Sequence, residues 1–161
     1  MTAPTRRTTE FIRNLVGFDT VSRKSNLALI EFVRDYLSGL GVDSRLIHDE
    51  TGKKANLYAT LGPQDGSGLM LSGHTDVVPP GDVAAWTVDP FGAEVIDGAV
   101  YGRGAVDMKG AIACFTVAAA GFLDDRAGAF GGSISLLIPG DEGGPAINGT
   151  AKVLAWLEAR G

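Results

Sequence analysis

Apolar and polar positions alternate along this chain in two rhythms, one of helices and one of strands. Phe11, Ile12, Leu15 and Val16 share one face of a helix that Thr8 or Thr9 can cap. The stretch 18–22 breaks that pattern. Ser25 is placed to cap a second helix, along which Leu27, Ile30, Val33, Tyr36, Leu37 and Leu40 recur at helical spacing, and Gly39 and Gly41 mark its end. Residues 42–48 and 55–61 alternate as strands around a turn at 49–52, and 62–68 reads as a loop. Leu69, Met70 and Leu71 form a short apolar run closed by Ser72 and Gly73. Such a run predicts a strand buried on both faces, as in a parallel sheet. A Pro- and Gly-rich crossing covers 77–86, and 91–101 predicts a hairpin around Asp97-Gly98. Residues 108–123 are apolar on nearly every side and predict a buried helix, with Cys114 as an inert core thiol. After a loop at 124–132 and a strand at 133–138, Thr150 is placed to cap a last helix carrying Val153, Leu154 and Leu157. Alternating helices and strands predict an α/β sandwich with a largely parallel sheet.

Composition narrows the partners. The 161 residues suit one domain at most, and 45% hydrophobic against 20% charged residues predicts a globular chain. A net charge of −5 without a basic block argues against nucleic acid or an anionic membrane surface. No apolar run reaches the ~18 residues of a membrane span. The arginines near the start have no apolar segment behind them, so no signal peptide is expected. A single cysteine excludes a disulfide framework and fits a reducing cytoplasm.

The candidate chemistry lies just beyond the strand-like segments. His74 and Asp76 follow the run at 69–71, Asp107 precedes the long helix, and Asp141 and Glu142 follow the strand at 133–138. In open α/β sheets ligands bind outside the carboxyl ends of strands. Neutral imidazole suits zinc, and a carboxylate two residues on can take the ring's other N–H. His48 has no acid or cysteine beside it and reads as a surface or edge residue. Gly102-x-Gly104 is not a dinucleotide loop, because the third glycine position holds Asp107 and the pattern follows a hairpin.

Four ordered blocks carry a resemblance: Gly73-His74-Thr75-Asp76-Val77-Val78-Pro79; Trp86-Thr87-Val88-Asp89-Pro90-Phe91; Tyr101-Gly102-Arg103-Gly104-Ala105-Val106-Asp107-Met108-Lys109-Gly110; and Gly140-Asp141-Glu142. Together they closely resemble the acetylornithine deacetylase and succinyl-diaminopimelate desuccinylase family of dinuclear zinc amidohydrolases. The segments 18–26 and 54–63 look like acetylornithine deacetylase; 106–113 and 145–150 look like the desuccinylase. The resemblance implies a three-layer α/β/α, zinc-exopeptidase-like fold, of which residues 1–161 are the N-terminal part of the catalytic domain. It implies two zinc ions, for which cobalt can substitute. It implies His74 as ligand of one metal, Asp107 as bridge, Asp76 as the group that orients His74, and Glu142 as general base. It further implies a cis peptide after Asp107, hydrolysis of an N-acyl amino acid in arginine or lysine biosynthesis, and a cytoplasmic place. The family's homodimer is built on a domain that this chain does not contain. Where the family has a second glutamate as a metal ligand, this chain has Gly143, so Gly143→Glu is expected to strengthen metal binding. Of the family's usual ligands only His74 and Asp107 remain, and activity is expected to be weak or absent. The alternative is a non-catalytic truncated homologue or partner-dependent fragment.

Overall fold

The computed structural model describes residues 6–64, 67–126, 129–143 and 146–160. In chain order these form α1 (Arg6–Gly17), α2 (Leu27–Ser38), β1 (Ser44–His48), β2 (Ala55–Leu61), β3 (Gly68–Ser72), β4 (Glu94–Ile96), β5 (Ala99–Tyr101), α3 (Gly110–Arg126), β6 (Ser133–Ile138) and α4 (Thr150–Glu158). The loops expected at 62–68 and 124–132, and the block 145–150, lie partly outside the described residues.

A four-stranded sheet runs in the order β1-β2-β6-β3, with β4 and β5 as a separate hairpin. The α/β sandwich is as expected, but the sheet is mixed rather than largely parallel. β1 pairs antiparallel with β2, β2 antiparallel with β6, and only β3 runs parallel to β6. The cause is local: six residues, 49–54, join β1 to β2, and a connection that short can only reverse the chain. Asp49 holds this turn, its Oδ1 accepting from the amides of Lys53 at 3.0 Å and Lys54 at 3.1 Å.

Alternation along the strands divides the core between two faces. Leu57, Ala59, Leu61, Leu136 and Ile138 face α1, α2 and α3, in a cluster that also holds Phe11, Leu15, Leu29, Ile30, Val33 and Ile112. Each large side chain buried there contributes roughly 1.5–3 kcal/mol by leaving water. The opposite face is thinner: Ile47, Leu137 and Val153 are buried, with Tyr58, Trp156 and Leu157 of the α4 side against them.

β3 departs from the expected doubly buried strand. It is an edge strand whose residues are mostly exposed, Leu69 at 58% and Met70 at 43%. Only β6 pairs with it among the described residues, so the apolar run has one side of its ladder and much of its surface open. The long helix is also less enclosed than its composition predicts. Ile112, Ala113, Thr116, Val117, Ala119 and Ala120 are buried, whereas Ala111, Cys114 and Ala118 face outward. Cys114 is therefore an exposed thiol, not a core one. The stretch Ala105–Arg126, 22 residues, is long and apolar enough by itself to cross a membrane, contrary to the count of apolar runs. Its first residues are not helical, however, since Asp107 and Met108 leave helical geometry, and the remainder supplies one wall of the core.

Candidate active site

Two strand ends and one turn meet at the carboxyl edge of the parallel pair. Beyond β3 the chain keeps its registration on β6, with Gly73 N–H donating to Leu137 O at 3.2 Å and Thr75 N–H to Pro139 O at 2.9 Å. On its other side Val77 bridges in parallel to Val21, where Val77 N–H meets Thr20 O and Ser22 N–H meets Val77 O, both at 3.0 Å. This segment, 73–77, carries His74 and Asp76.

Beneath it lies a buried polar network. Asn26 sits at the start of α2, but its side chain turns inward, donating to Ala55 O and Thr75 Oγ1 at 2.9 Å and accepting from Ala55 N–H at 3.0 Å. Thr20 Oγ1 donates to Thr75 O at 2.6 Å. Asn56 accepts from Gly140 N–H at 2.9 Å and donates to Asn148 O at 2.6 Å. Thr20, Asn26, Asn56 and Thr75 are all buried, so each satisfied bond spares the cost of an orphaned polar group. Ser25, expected as the cap of α2, accepts from Leu27 N–H at 3.2 Å.

Asp107 arrives on a tight turn, 105–109, just before α3. Gly104 opens this turn at φ +81°, and a Cβ there would lie 2.6 Å from Val77 Cγ1, so glycine is required twice over. The Asp107–Met108 peptide is cis, as the family resemblance implies. Lys109 anchors the turn. Its side chain is fully buried and its Nζ donates to Phe18 O at 2.6 Å. Burial pulls this amine down to about 8, against the opposing pull of the Asp19 carboxylate. In the sequence Lys109 stands out only as part of a motif. The available signal was a lone cation opening an otherwise apolar helix.

His74 is aimed by its own loop. Nδ1 lies 2.9 Å from the backbone oxygen of Asp76, and a carbonyl can only accept, so Nδ1 carries the hydrogen. The carboxylate of Asp76, expected to take this hydrogen, stands 3.7 Å away. Nε2 faces Asp107 Oδ1 at 3.1 Å. A neutral ring with its hydrogen on Nδ1 offers a lone pair there, toward a carboxylate oxygen that is also an acceptor. Two acceptors at that separation need a cation between them, either a proton on Nε2 or a metal ion. Asp107 is 78% exposed, open to whatever approaches the site. A cleft of about 220 Å³ opens beside it, lined by Val77, Val78 and residues 102–107. A larger cleft, of about 540 Å³, lies at the other end of β2, around Leu61 and Gly62, away from these residues.

The buried carboxylate of Asp76 is occupied elsewhere. Oδ1 accepts from Glu142 N–H at 3.0 Å, Oδ2 from Gly143 N–H at 2.8 Å and from Ser22 Oγ at 3.2 Å. The Glu142 side chain in turn accepts from Thr150, through its amide at 3.0 Å and its hydroxyl at 2.5 Å. Thr150 therefore does not cap α4, as expected, but opens it, and Glu142 supplies the acceptor across the loop. Asp141 accepts from Asn148 N–H at 3.1 Å and lies 3.6 Å from Lys54. His48 is exposed in β1, an edge strand, as expected.

Imidazole nitrogen and carboxylate oxygen suit zinc in kind. In number they fall short. A catalytic zinc takes about three protein ligands, and no group of three or more His, Cys, Asp or Glu side chains able to hold a metal occurs among the described residues.

The fold and these residues define the class. The chain belongs to peptidase family M20/M25/M40, whose model matches residues 70–161. It is 52% identical over 152 residues to a succinyl-diaminopimelate desuccinylase of Rhodospirillum centenum, covering 92% of this chain and 39% of that protein. A desuccinylase of Methylobacterium nodulans is 53% identical over 135 residues, covering 82% of this chain and 34% of that one. The chain thus spans well under half the length of these relatives. Among solved structures it resembles an M20 family metallo-carboxypeptidase from Sulfolobus solfataricus, with TM-score 0.81 and 21% identity over 97% of this chain and 35% of that one. It also resembles human carnosine dipeptidase 1, with TM-score 0.79 and 21% identity over 95% of this chain and 35% of that one. At this identity the two structures speak for the fold.

Proposed function

We propose that this chain is the N-terminal part of a metal-dependent amidohydrolase that removes the acyl group from an N-acyl amino acid, and that N-succinyl-diaminopimelate is its substrate. The observation that carries the reading is the pairing of His74 Nε2 with Asp107 Oδ1 at 3.1 Å, with Nδ1 already committed to a carbonyl. His74 and Asp107 would hold a divalent ion, zinc or cobalt. Such an ion, when bound, polarises an amide carbonyl and acidifies bound water. Glu142 would act as general base, held on one side by Thr150. The remaining ligands of a complete dinuclear site would come from polypeptide other than these residues. The desuccinylase names of relatives that are more than half identical support the succinyl substrate. Acetylornithine is the second reading, favoured by the likeness of residues 18–26 and 54–63 to the deacetylases. The acidic charge of the chain supports a small-molecule substrate rather than nucleic acid, and its single cysteine fits a reducing cytoplasm. Calorimetric titration with zinc tests the reading. Weak binding is expected in the parent and none in His74→Ala or Asp107→Ala; equal binding in all three would sink it.

A further inference from the structure

We infer that the Asp76 carboxylate is a positioning group for the Glu142 loop, and that a side chain at 143 would crowd this contact. This inference rests on the proposed role of Glu142 for its meaning, though not for its geometry. Asp76 divides its two functional ends. The backbone oxygen takes the imidazole hydrogen of His74 at 2.9 Å. The carboxylate, 2% exposed, spans two consecutive amides of the loop after β6, at 3.0 Å to Glu142 and 2.8 Å to Gly143. A carboxylate that accepts successive backbone N–H bonds in a buried place makes charge-assisted bonds, stronger than neutral ones. Ser22 Oγ, on the strand-like segment against Val77, gives Oδ2 a further partner at 3.2 Å.

A side chain at 143 would crowd this contact, so the Asp76 carboxylate would have to shift to admit one. A Cβ there would fall 2.8 Å from Asp76 Oδ2 and 3.1 Å from Ser22 Oγ. The glycine that stands where the resembling family has a glutamate is thus part of a contact, and not only a missing ligand. One residue, Asp76, joins the histidine end of the site to its glutamate end. The amide of Glu142 is held by Asp76 and its carboxylate by Thr150, so the group is fixed at both its backbone and its tip.

The test uses the whole chain and needs neither metal nor substrate, so its failure is distinct from a failure to bind zinc. Amide hydrogen exchange of Glu142 and Gly143 is measured by NMR in the parent and in Asp76→Asn, with Leu136 and Ile138 of β6 as internal references. The ring-nitrogen signals of His74 report its tautomer in the same samples. Asparagine keeps the shape of Asp76 but has one acceptor oxygen where the carboxylate has two. Protection of at least one loop amide should fall about tenfold or more, while the β6 amides and the His74 signals stay as in the parent. Gly143→Ala, in which the new Cβ displaces the carboxylate, should give the same loss and keeps the question open to test if Asp76→Asn does not fold. Unchanged loop amides in both variants overturn the assignment. So do His74 signals that move in Asp76→Asn while the loop amides hold.

Discussion

At the scale of single residues, the site is made of groups with two jobs. Asp76 serves His74 through its backbone and the Glu142 loop through its side chain. This changes what Gly143→Glu should do. The added carboxylate would lie beside Glu142, where a further ligand is wanted, and zinc affinity should rise. Its Cβ, however, meets Asp76 Oδ2 at 2.8 Å, so the clamp must open and the folded state should weaken. Calorimetry with zinc and a thermal melt of the metal-free chain check both signs; a variant as stable as its parent would show that the loop yields without cost. Asp49 gives a pH dependence of the ordinary carboxylate kind. Burial raises its carboxyl, and bonds from Thr51, Lys54, Lys53 and Gly52 together outweigh this, leaving it below the usual value. The unfolded chain therefore binds the proton more readily. The stabilisation is fully present above the unfolded value near 3.8 and is lost as pH falls through the lower folded one. Asp49→Asn should flatten the loss of stability as pH falls below the unfolded value near 3.8, as read from thermal midpoints in the two chains.

At the scale of elements, the division between what the amino acids announce and what they conceal follows distance along the chain. β2 has the bounds that alternation predicts and β6 those of its short apolar run, and Asp97-Gly98 turns its hairpin with both residues at positive φ, +50° and +79°. These features depend on near neighbours. The exposure of β3 does not, because Leu69-Met70-Leu71 reads alike whether one strand or two flank it. Nor does the outward stripe of Ala111, Cys114 and Ala118, since small apolar residues fit either side of a helix. His74, Asp76, Asp107 and Glu142 were legible as a group at the strand ends. Their wiring was not, because Asp76 reaches residues 66 and 67 positions away. Asn26 is the element-scale case. It stands at the N-cap position of α2, one residue after the expected cap Ser25, and its side chain ties α2 to β2 and to Thr75. Asn26→Ala would leave the amide and carbonyl of Ala55 buried without this partner, at roughly 1–3 kcal/mol for each group. A loss on the order of 3 kcal/mol is expected in urea denaturation, and a change below about 0.5 kcal/mol would show that water or a neighbour replaces it.

At the scale of the whole molecule, the chain has the scaffold of an active site and only part of its ligand set. The polar network, the loop after β6 and the turn before α3 hold their groups through bonds within the chain itself. By contrast, among the described residues the donors that would retain an ion number two where about three are usual. An ion so held is weakly bound and poorly directed, and an open site leaves charges in water, where each electrostatic contribution to a transition state shrinks. Glu142 can be well placed and still have little to act on, since proton transfer contributes only when the reacting groups are held within reach. We therefore expect little or no hydrolysis of N-succinyl-diaminopimelate or N-acetylornithine by these 161 residues alone, even with added zinc or cobalt. Glu142→Ala should then have the same near-background rate as the parent, whereas its amide and the Asp76 clamp should persist. The rates of the two chains are compared on both substrates, with each metal in excess. Turnover well above background that disappears in Glu142→Ala would mean that the short chain completes its ligand set, for instance from a second copy, and a loss of that turnover on dilution would identify such a shared site.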